Sequence, residues 1–571
     1  MTLIDLLEKT PSHSKVLKYG TAGFRDRADL PLDGMFLRMG ALAVLRSRST
    51  GQRVVGIMIT ASHNAEPDNG VKLVDTDGGM LSSSWEPHAE RFANAPSSPA
   101  FLAEMAALEA SEGIAGMDGG VVMVGRDTRP HSEAFMQRVR EGVESVGGRV
   151  LDLGVVTTPQ LHFAVQRANV NETSPPYGSA FTASAALDEY YRTLASGFSE
   201  LLDSAGGTQM SKKHHLIVDG ACGVGAISMR AFLRCLEQRG ETRLTVDLRN
   251  GPADGQVNEG CGAEFVQKEQ SCPQCQSQHN SSCECCWCRS PKDDGKQLQC
   301  SFDGDADRVV FHMFTRENDP KSWVLLDGDK IAALLAVLLV QELRAAGLEE
   351  SLSLGVVQTA YANGASTAFL RSRGVTVAMA KTGVKYLHHV ALEFDVGVYF
   401  EANGHGTVLF SEKAQRELLL QSSDGAGSAS TKEAGARHLA LLRLSACTRV
   451  INQAVGDALS DTLSALACLS ILELTADQWV GLFADFPSRQ LKQAVANKAA
   501  IVCSDDETRV VTPVALAEQL DAAMKAVPNG RCFVRPSGTE DVVRVYAEAT
   551  TQEAADELAE AARKAMLEFC R

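Results

Sequence analysis

Short apolar runs rich in β-branched residues alternate along the chain with stretches of helical spacing, the pattern of an α/β protein. Several of the runs stop abruptly in loops of glycine and polar residues. Arg53-Val-Val-Gly-Ile-Met-Ile59 enters Thr60-Ala-Ser-His-Asn64, His215-Leu-Ile-Val218 enters Asp219-Gly-Ala-Cys-Gly-Val-Gly225, and Val398-Tyr-Phe400 enters Glu401-Ala-Asn-Gly-His-Gly406. Strand ends followed by such loops are where α/β folds build sites. Near the C-terminus the pattern predicts a strand Arg531-Cys-Phe-Val534, a loop over 535–540, a strand over 542–548 and a helix from residue 552, whose Ala, Leu and Met spacing gives an apolar stripe. The longest apolar run, Ile331 to Val340, is too short to span a bilayer and reads as a buried helix.

The 571 residues exceed what one hydrophobic core serves and predict several domains. Linker composition near 203–214, a polar loop over 315–322 and a low-complexity stretch at 421–430 suggest where elements part. With 55 basic and 71 acidic residues the net charge is −16, a poor balance for non-specific binding of nucleic acid or anionic membrane. An anionic substrate would need local cations or a metal. The N-terminal Met1-Thr-Leu-Ile-Asp-Leu-Leu-Glu-Lys9 lacks the basic start and apolar core of a signal peptide, so a cytoplasmic location is expected. There the 15 cysteines are expected as thiols or metal ligands.

The strongest local signal is Phe302-Asp-Gly-Asp-Ala-Asp-Arg308. In an extended segment Asp303, Asp305 and Asp307 point the same way. Three converging carboxylates repel unless a cation lies between them, and hard oxygen ligands favour Mg²⁺ or Ca²⁺. An EF-hand begins similarly but needs Gly and Glu where this chain has Arg308 and Phe314. A solvated acidic turn is disfavoured by the apolar flanks. Arg308 follows directly and is placed to balance charge and touch a phosphoryl group. Ser62, in Thr60-Ala-Ser-His-Asn64, is predicted to stand exposed at a strand end, without the glycines of a hydrolase elbow. A hydroxyl needs activation, and His63 or Lys72 is near enough in sequence to serve; taken alone, a Ser-His pair in a loop is more often a turn or helix cap. Arg535-Pro-Ser-Gly-Thr-Glu540, with Arg544 beyond it, offers guanidinium forks, hydroxyls and open backbone N–H groups to an anion, or is an ordinary hairpin.

Taken together these loops resemble the α-D-phosphohexomutase superfamily. The matching stretches are Thr60–Asn64 with Asn69-Gly-Val-Lys-Leu73, Asp303–Arg308, Tyr399–Gly406 and Arg535–Glu548. Tyr19–Arg25, Gly125–Pro130, Gln358–Asn363, Lys381–Lys385 and Pro487–Lys492 follow the same order. The resemblance implies four domains around a central cleft: three related mixed α/β domains and a C-terminal TATA-binding-protein-like α+β domain. The expected divisions are 1–208, 209–318, 319–465 and 466–571. It further implies a phosphoserine at Ser62, Mg²⁺ held by Asp303, Asp305 and Asp307 with the phosphate on Ser62, and a sugar 1,6-bisphosphate intermediate. His63, Lys72 and Arg308 would assist the transfer. Glu401, Ala402 and Asn403 would recognise the sugar, and Arg535, Pro536, Ser537, Gly538, Thr539 and Arg544 would clamp the non-reacting phosphate. Other superfamily members often carry Ser where this chain has Asn403, which points to N-acetylglucosamine phosphate as the small-molecule substrate, with no nucleic-acid or membrane partner. Glucose or mannose phosphates are the alternative substrates, and a non-catalytic metal-binding scaffold the alternative class.

One stretch stands apart. Residues 261–300 hold eight of the 15 cysteines, including Cys272-Pro-Gln-Cys275 and Cys283-Glu-Cys-Cys-Trp-Cys288. Cys272-x-x-Cys275 has zinc spacing. The second half is irregular, which favours a surface insertion with thiols over zinc.

Overall fold

The computed structural model describes residues 2–10, 13, 15–20, 23–170, 182–205, 213–274, 297–316, 322–424, 432–538 and 542–570. Two compact units result: Met1–Leu325 with Ala446–Ile471, and Leu326–Ser445 with Leu472–Arg571.

The first unit is built on two five-stranded sheets. In one, the strands Phe24–Arg27, Asp68–Val74, Val54–Ile59, Val121–Arg126 and Arg149–Val155 lie side by side in that order. The last three are parallel, and the first two close the edge antiparallel. Val54–Ile59 is buried throughout because both of its faces are covered. Val55, Ile57 and Ile59 join a core with Phe36, Leu37 and Phe135 from the helices Asp33–Ser49 and Ser132–Ser145. Val54 and Met58 join another with Leu161 and Val165 from the helix Thr158–Asn169. The period of two thus serves two helical layers at once. The other sheet runs Trp323–Leu326, Val309–Phe314, Gln299–Phe302, His214–Asp219 and Leu244–Arg249. The helix Ala458–Ile471 is buried along its whole length within this unit, and the Ala458 N–H donates to the Ala306 carbonyl at 3.0 Å. The division expected at 465/466 falls inside that helix.

In the second unit the strands Thr376–Ala380, Leu354–Thr359, Val396–Phe400 and Gly406–Phe410 form a sheet, parallel except for the last. The run Ile331 to Val340 lies in the helix Gly328–Ala346, started by Asp327 accepting the Asp329 and Lys330 N–H groups and ended by Gly347 in the left-handed conformation. The strands Ser488–Ala494, Val542–Glu548 and Arg531–Pro536 make an antiparallel sheet whose core is completed by the helices Val514–Lys525 and Gln552–Leu567. This sheet is fastened to the preceding one by Asn363 and Phe486. The Asn363 amide donates to the Phe486 carbonyl at 2.9 Å, and the Phe486 N–H returns to Asn363 Oδ1 at 3.1 Å.

No described helix is long and apolar enough to cross a membrane. The divisions expected at 208/209 and 318/319, and most of the stretch 421–430, lie outside the described residues.

A buried histidine, His312, and a half-buried one, His388, tie stability to pH. Burial pulls His312 down to about 3 and His388 to about 4, so both are neutral in the fold. In the unfolded chain each gains a proton near the usual value of about 6.5. Their contribution is therefore whole above that value and is lost as pH falls toward 3. His312→Gln is expected to shrink the drop in melting temperature between pH 7 and pH 5 relative to the parent protein. An equal drop in both would refute the assignment.

Candidate active site

Ser62 stands at the end of strand Val54–Ile59 with φ +52°, a left-handed backbone that a serine seldom adopts. The turn is gripped from two sides. Arg129 donates to the carbonyls of Ser62, Asn64, Ala65 and Asp68 at 3.1, 2.7, 2.6 and 3.0 Å, while Asp127 holds its Nε at 3.0 Å. Asn258 Nδ2 donates to the Ser62 and Asn64 carbonyls at 2.8 and 2.9 Å. Contrary to the exposure expected from its loop, Ser62 is buried, 1 % exposed. Its hydroxyl points at the acidic loop: Oγ donates to Asp303 Oδ2 at 2.9 Å.

The aspartates do not lie on an extended segment, as their spacing suggested. They occupy a turn between the strands Gln299–Phe302 and Val309–Phe314, with Ala306 at φ +58°. The turn, not strand alternation, makes them converge. Ligand atoms of Asp303, Asp305 and Asp307 all lie within 4.8 Å of one another, and all three residues are buried. Backbone bonds fix the turn: Thr158 N–H to the Asp305 carbonyl at 3.1 Å, Val224 N–H to the Gly304 carbonyl at 3.1 Å, and the Asp307 and Arg308 N–H groups to Asp303 Oδ1 at 3.1 and 3.2 Å. At Gly304 a Cβ would come 2.7 Å from the Ser62 carbonyl oxygen and 2.8 Å from Asn258 Nδ2. Glycine there lets the acidic turn and the serine turn touch.

Cations surround the cluster. Lys72 Nζ sits 2.8 Å from Asp305 Oδ2 and 2.8 Å from Asp307 Oδ2. Burial pulls the Lys72 ammonium down, but Asp305 and Asp307 outweigh it and hold it above its ordinary value. Arg308 Nε lies 3.8 Å from both Asp303 Oδ2 and Asp307 Oδ1. Burial, then Asp307 and Asp305, drive the Asp303 carboxyl well above the usual carboxylate range. Asp305 Oδ2 accepts from Thr158 Oγ1 at 2.6 Å, whereas Asp305 Oδ1 is buried with no hydrogen-bond partner among the described residues. An orphaned carboxylate oxygen beside two more carboxylates fits a hard divalent cation. His63 lies in the same turn, held neutral well below its usual value by burial, then by Arg308 and Arg25. Sequence reasoning did not assign roles to Arg25, whose Nη1 donates to Asn64 Oδ1 at 3.0 Å, or to Arg129 and Asn258. Arg25 and Arg129 lie in stretches already noticed, but only the fold shows what they touch.

In the second unit, Glu401, Ala402 and Asn403 form the half-buried turn between the strands Val396–Phe400 and Gly406–Phe410. Glu401 is held at both oxygens: Gly383 N–H donates to Oε1 at 3.2 Å and Asn403 Nδ2 to Oε2 at 3.2 Å. Arg535 and Pro536 end one strand, and the Ser537 N–H donates to the Val542 carbonyl at 2.8 Å; Gly538 is exposed, and Thr539 lies outside the described residues. The register sets Lys492 opposite Arg544 and Arg544 opposite Arg535. Like charges directly opposite destabilise a sheet, so this row calls for counter-charge, which Glu507 supplies at Arg535 and an anion could add to. Lys492 is the member that sequence reasoning left without a role. Of the cysteine cluster, Cys272 is half-buried and Cys275 to Cys288 lie outside the described residues.

A serine bonded to one of three clustered aspartates, and a row of cations suited to phosphate, define a phosphosugar mutase of the α-D-phosphohexomutase class. The family profile described as Phosphoacetylglucosamine mutase AMG1, domain III, matches residues 327–474. Those for phosphoglucomutase/phosphomannomutase match 44–100 and 99–185 (alpha/beta/alpha domain I) and 491–565 (C-terminal domain). The phosphoacetylglucosamine mutase of Sus scrofa is 44 % identical over 570 residues, 98 % of this chain and 96 % of that one. Among solved structures, Aspergillus fumigatus N-acetylphosphoglucosamine mutase in complex with GlcNAc-6P and magnesium is 35 % identical, with a TM-score of 0.86 over 100 % of this chain and 99 % of that one. A variant of the Aspergillus enzyme in complex with glucose 1,6-bisphosphate has a TM-score of 0.84 at 35 % identity, over 100 % and 98 % of the two chains. The chain belongs to the phosphoacetylglucosamine mutase family and has its four-domain fold.

Gly304→Ala tests the contact between the two turns. A methyl group there must push Ser62 and the acidic turn apart, and a displacement of about 1 Å at a reacting group costs about 100-fold in rate. Steady-state turnover is expected to fall by that order while circular dichroism stays unchanged. Full activity would show that the contact does not matter.

Proposed function

We propose that the protein interconverts N-acetylglucosamine 6-phosphate and N-acetylglucosamine 1-phosphate through a phosphorylated Ser62 and a 1,6-bisphosphate intermediate, on the route to UDP-N-acetylglucosamine. The observation that carries the proposal is the 2.9 Å contact of Ser62 Oγ with Asp303 inside the aspartate cluster. The GlcNAc-6P, magnesium and glucose 1,6-bisphosphate found with the Aspergillus relative support the substrate, the metal and the intermediate.

In the forward direction, O1 of the 6-phosphate attacks the phosphorus on Ser62. The O1–P bond forms, the P–Oγ bond breaks, and the O1 proton goes to His63, which burial holds neutral, or to Lys72 once that ammonium has given up its own proton. The bisphosphate turns end for end; then Ser62 Oγ takes the phosphoryl group from O6, and the proton returns to O6. Asp303, Asp305 and Asp307, with an oxygen of the seryl phosphate, would hold Mg²⁺, which neutralises charge on the transferring group. Arg308 adds a guanidinium to that neutralisation. Arg129 and Asn258 keep the serine turn fixed while its oxygen is alternately ester and leaving group. Glu401, Ala402 and Asn403 bind sugar hydroxyls and the acetamido group. Arg535, Pro536, Ser537, Gly538, Thr539 and Arg544 bind whichever phosphate is not reacting. That clamp reads a phosphate rather than a sugar face, so one site serves both halves of the cycle.

These loops belong to four domains, divided near 208, near 318 and after the helix that ends at Ile471. The site of action is the cytosol, in keeping with buried thiols at Cys222, Cys261, Cys300 and Cys532.

Intact mass spectrometry tests the central step. The parent protein is expected to carry one phosphate that is absent from Ser62→Ala, together with loss of turnover; phosphate retained by the variant would place the nucleophile elsewhere. Chelation is expected to lower turnover by about two to three orders of magnitude, restored by Mg²⁺. Lys72→Met and His63→Gln separate the two bases, since loss of the true one costs about 10²- to 10⁴-fold in kcat. Rates on glucose and mannose phosphates, measured beside N-acetylglucosamine phosphate, test the substrate.

A further inference from the structure

Between the strand Thr376–Ala380 and the helix Val384–Ala391 the chain passes through Lys381, Thr382 and Gly383, with Gly383 at φ +124°. Two consecutive amides of this turn donate to carboxylates from different parts of the second unit. Gly383 N–H reaches Glu401 Oε1 at 3.2 Å, and Thr382 N–H reaches Glu507 Oε2 at 3.0 Å. The same Glu507 oxygen lies 2.6 Å from Arg535 Nε. Glu507 is 8 % exposed and sits at φ +58°, between the strands Val502–Cys503 and Val510–Thr512. Its turn is locked: Glu507 N–H donates to the Ser504 carbonyl at 2.9 Å, and Asp506 accepts from Ser504 Oγ and Thr508 Oγ1 at 2.6 and 2.8 Å. A buried glutamate in left-handed backbone, aimed at an arginine, is strain kept for a purpose.

We infer that Glu507 is a positioning residue that ties Arg535 to the turn anchoring Glu401, so that grip on the phosphate and orientation of the sugar-recognising carboxylate are set together. The inference rests on the reading of Arg535 and Glu401 as substrate-binding groups. Glu507 meets the guanidinium at Nε as an ion pair rather than through a hydrogen bond there, and that charge contact draws Arg535 toward the Thr382 turn. It also offsets part of the charge of Arg535. A phosphate that draws Arg535 pulls on Glu507 and Thr382, and the next residue, Gly383, holds Glu401. A cavity of about 780 Å³ lined by Lys381, Tyr386, Cys503, Glu507 and Arg535 leaves the turn room to shift.

The test is Glu507→Gln, which keeps size and loses charge. KM for N-acetylglucosamine 6-phosphate is expected to rise about tenfold, and preference for it over glucose 6-phosphate to fall about fivefold, within the usual range of coupling between sites. A residue that served only phosphate binding would weaken both sugars equally, and that outcome overturns the inference. Amide hydrogen exchange over 376–386 supplies a readout independent of turnover. The Thr382 and Gly383 amides are expected to exchange at least about fivefold faster in the variant, while core amides keep their rates. Unchanged exchange also overturns the inference. Should Glu507→Gln fail to fold, Arg535→Met cuts the link from the other end and is expected to speed exchange at the same two amides. A parent protein inactive on both sugars would sink the mutase reading, whereas the exchange result judges the link by itself.

Discussion

Three buried carboxylates within 4.8 Å of one another are the constraint that the first unit is built to satisfy. Left alone, like charges in a low-dielectric interior would either protonate or force the turn apart. The chain answers with Lys72 between Asp305 and Asp307, with Thr158 on Asp305, and with two backbone N–H groups on Asp303. Among the described residues it still leaves Asp305 Oδ1 without a hydrogen bond, and Asp303 strongly biased toward its neutral form. A structural ion-pair network would close both accounts; a metal-binding cluster keeps them open for the ion.

The same logic explains why the serine turn is rigid. On the proposed mechanism the hydroxyl is alternately ester and leaving group and must return to one position, and a left-handed serine would relax if only local bonds held it. Arg129 and Asn258 converge on the Ser62 and Asn64 carbonyls from different elements, and Gly304 permits van der Waals approach of the acidic turn behind them. Arg129 is fully buried, yet its charge is met by Asp127 and four carbonyls, so the desolvation of a guanidinium is offset by a complete set of acceptors.

The sequence showed what depends on local pattern. Strand ends at Ile59, Val218 and Phe400 were legible because a buried parallel strand is a continuous apolar run, and Gly-rich polar loops must follow it. The three aspartates were legible as a metal group because few other structures tolerate them. Their geometry was not: the i, i+2, i+4 spacing fits a strand as well as a turn, and Ala306 at φ +58° carries no residue-level warning. The burial of Ser62 was missed because the residues covering it are distant in sequence. Lys492 and Glu507 were hidden for a related reason. A cross-strand register and a long-range ion pair exist only once the sheet and the turns are assembled.

The Glu401 turn shows how a single residue works through its neighbour. The resemblance to the superfamily puts Asn403 at a position where other members often carry serine. Here its amide has two tasks: Oδ1 accepts the His405 N–H at 3.0 Å while Nδ2 donates to Glu401 Oε2 at 3.2 Å. Serine has one hydroxyl on a shorter stem, where asparagine brings a separate carbonyl and amide to the two partners. With asparagine, Glu401 is fixed at both oxygens, by Asn403 on one and Gly383 on the other, and its carboxylate has one orientation to offer. The choice at position 403 therefore acts first on the carboxylate's direction and, on the proposed reading of Glu401 as a sugar-binding group, through it on which sugar substituents are met by a ready acceptor.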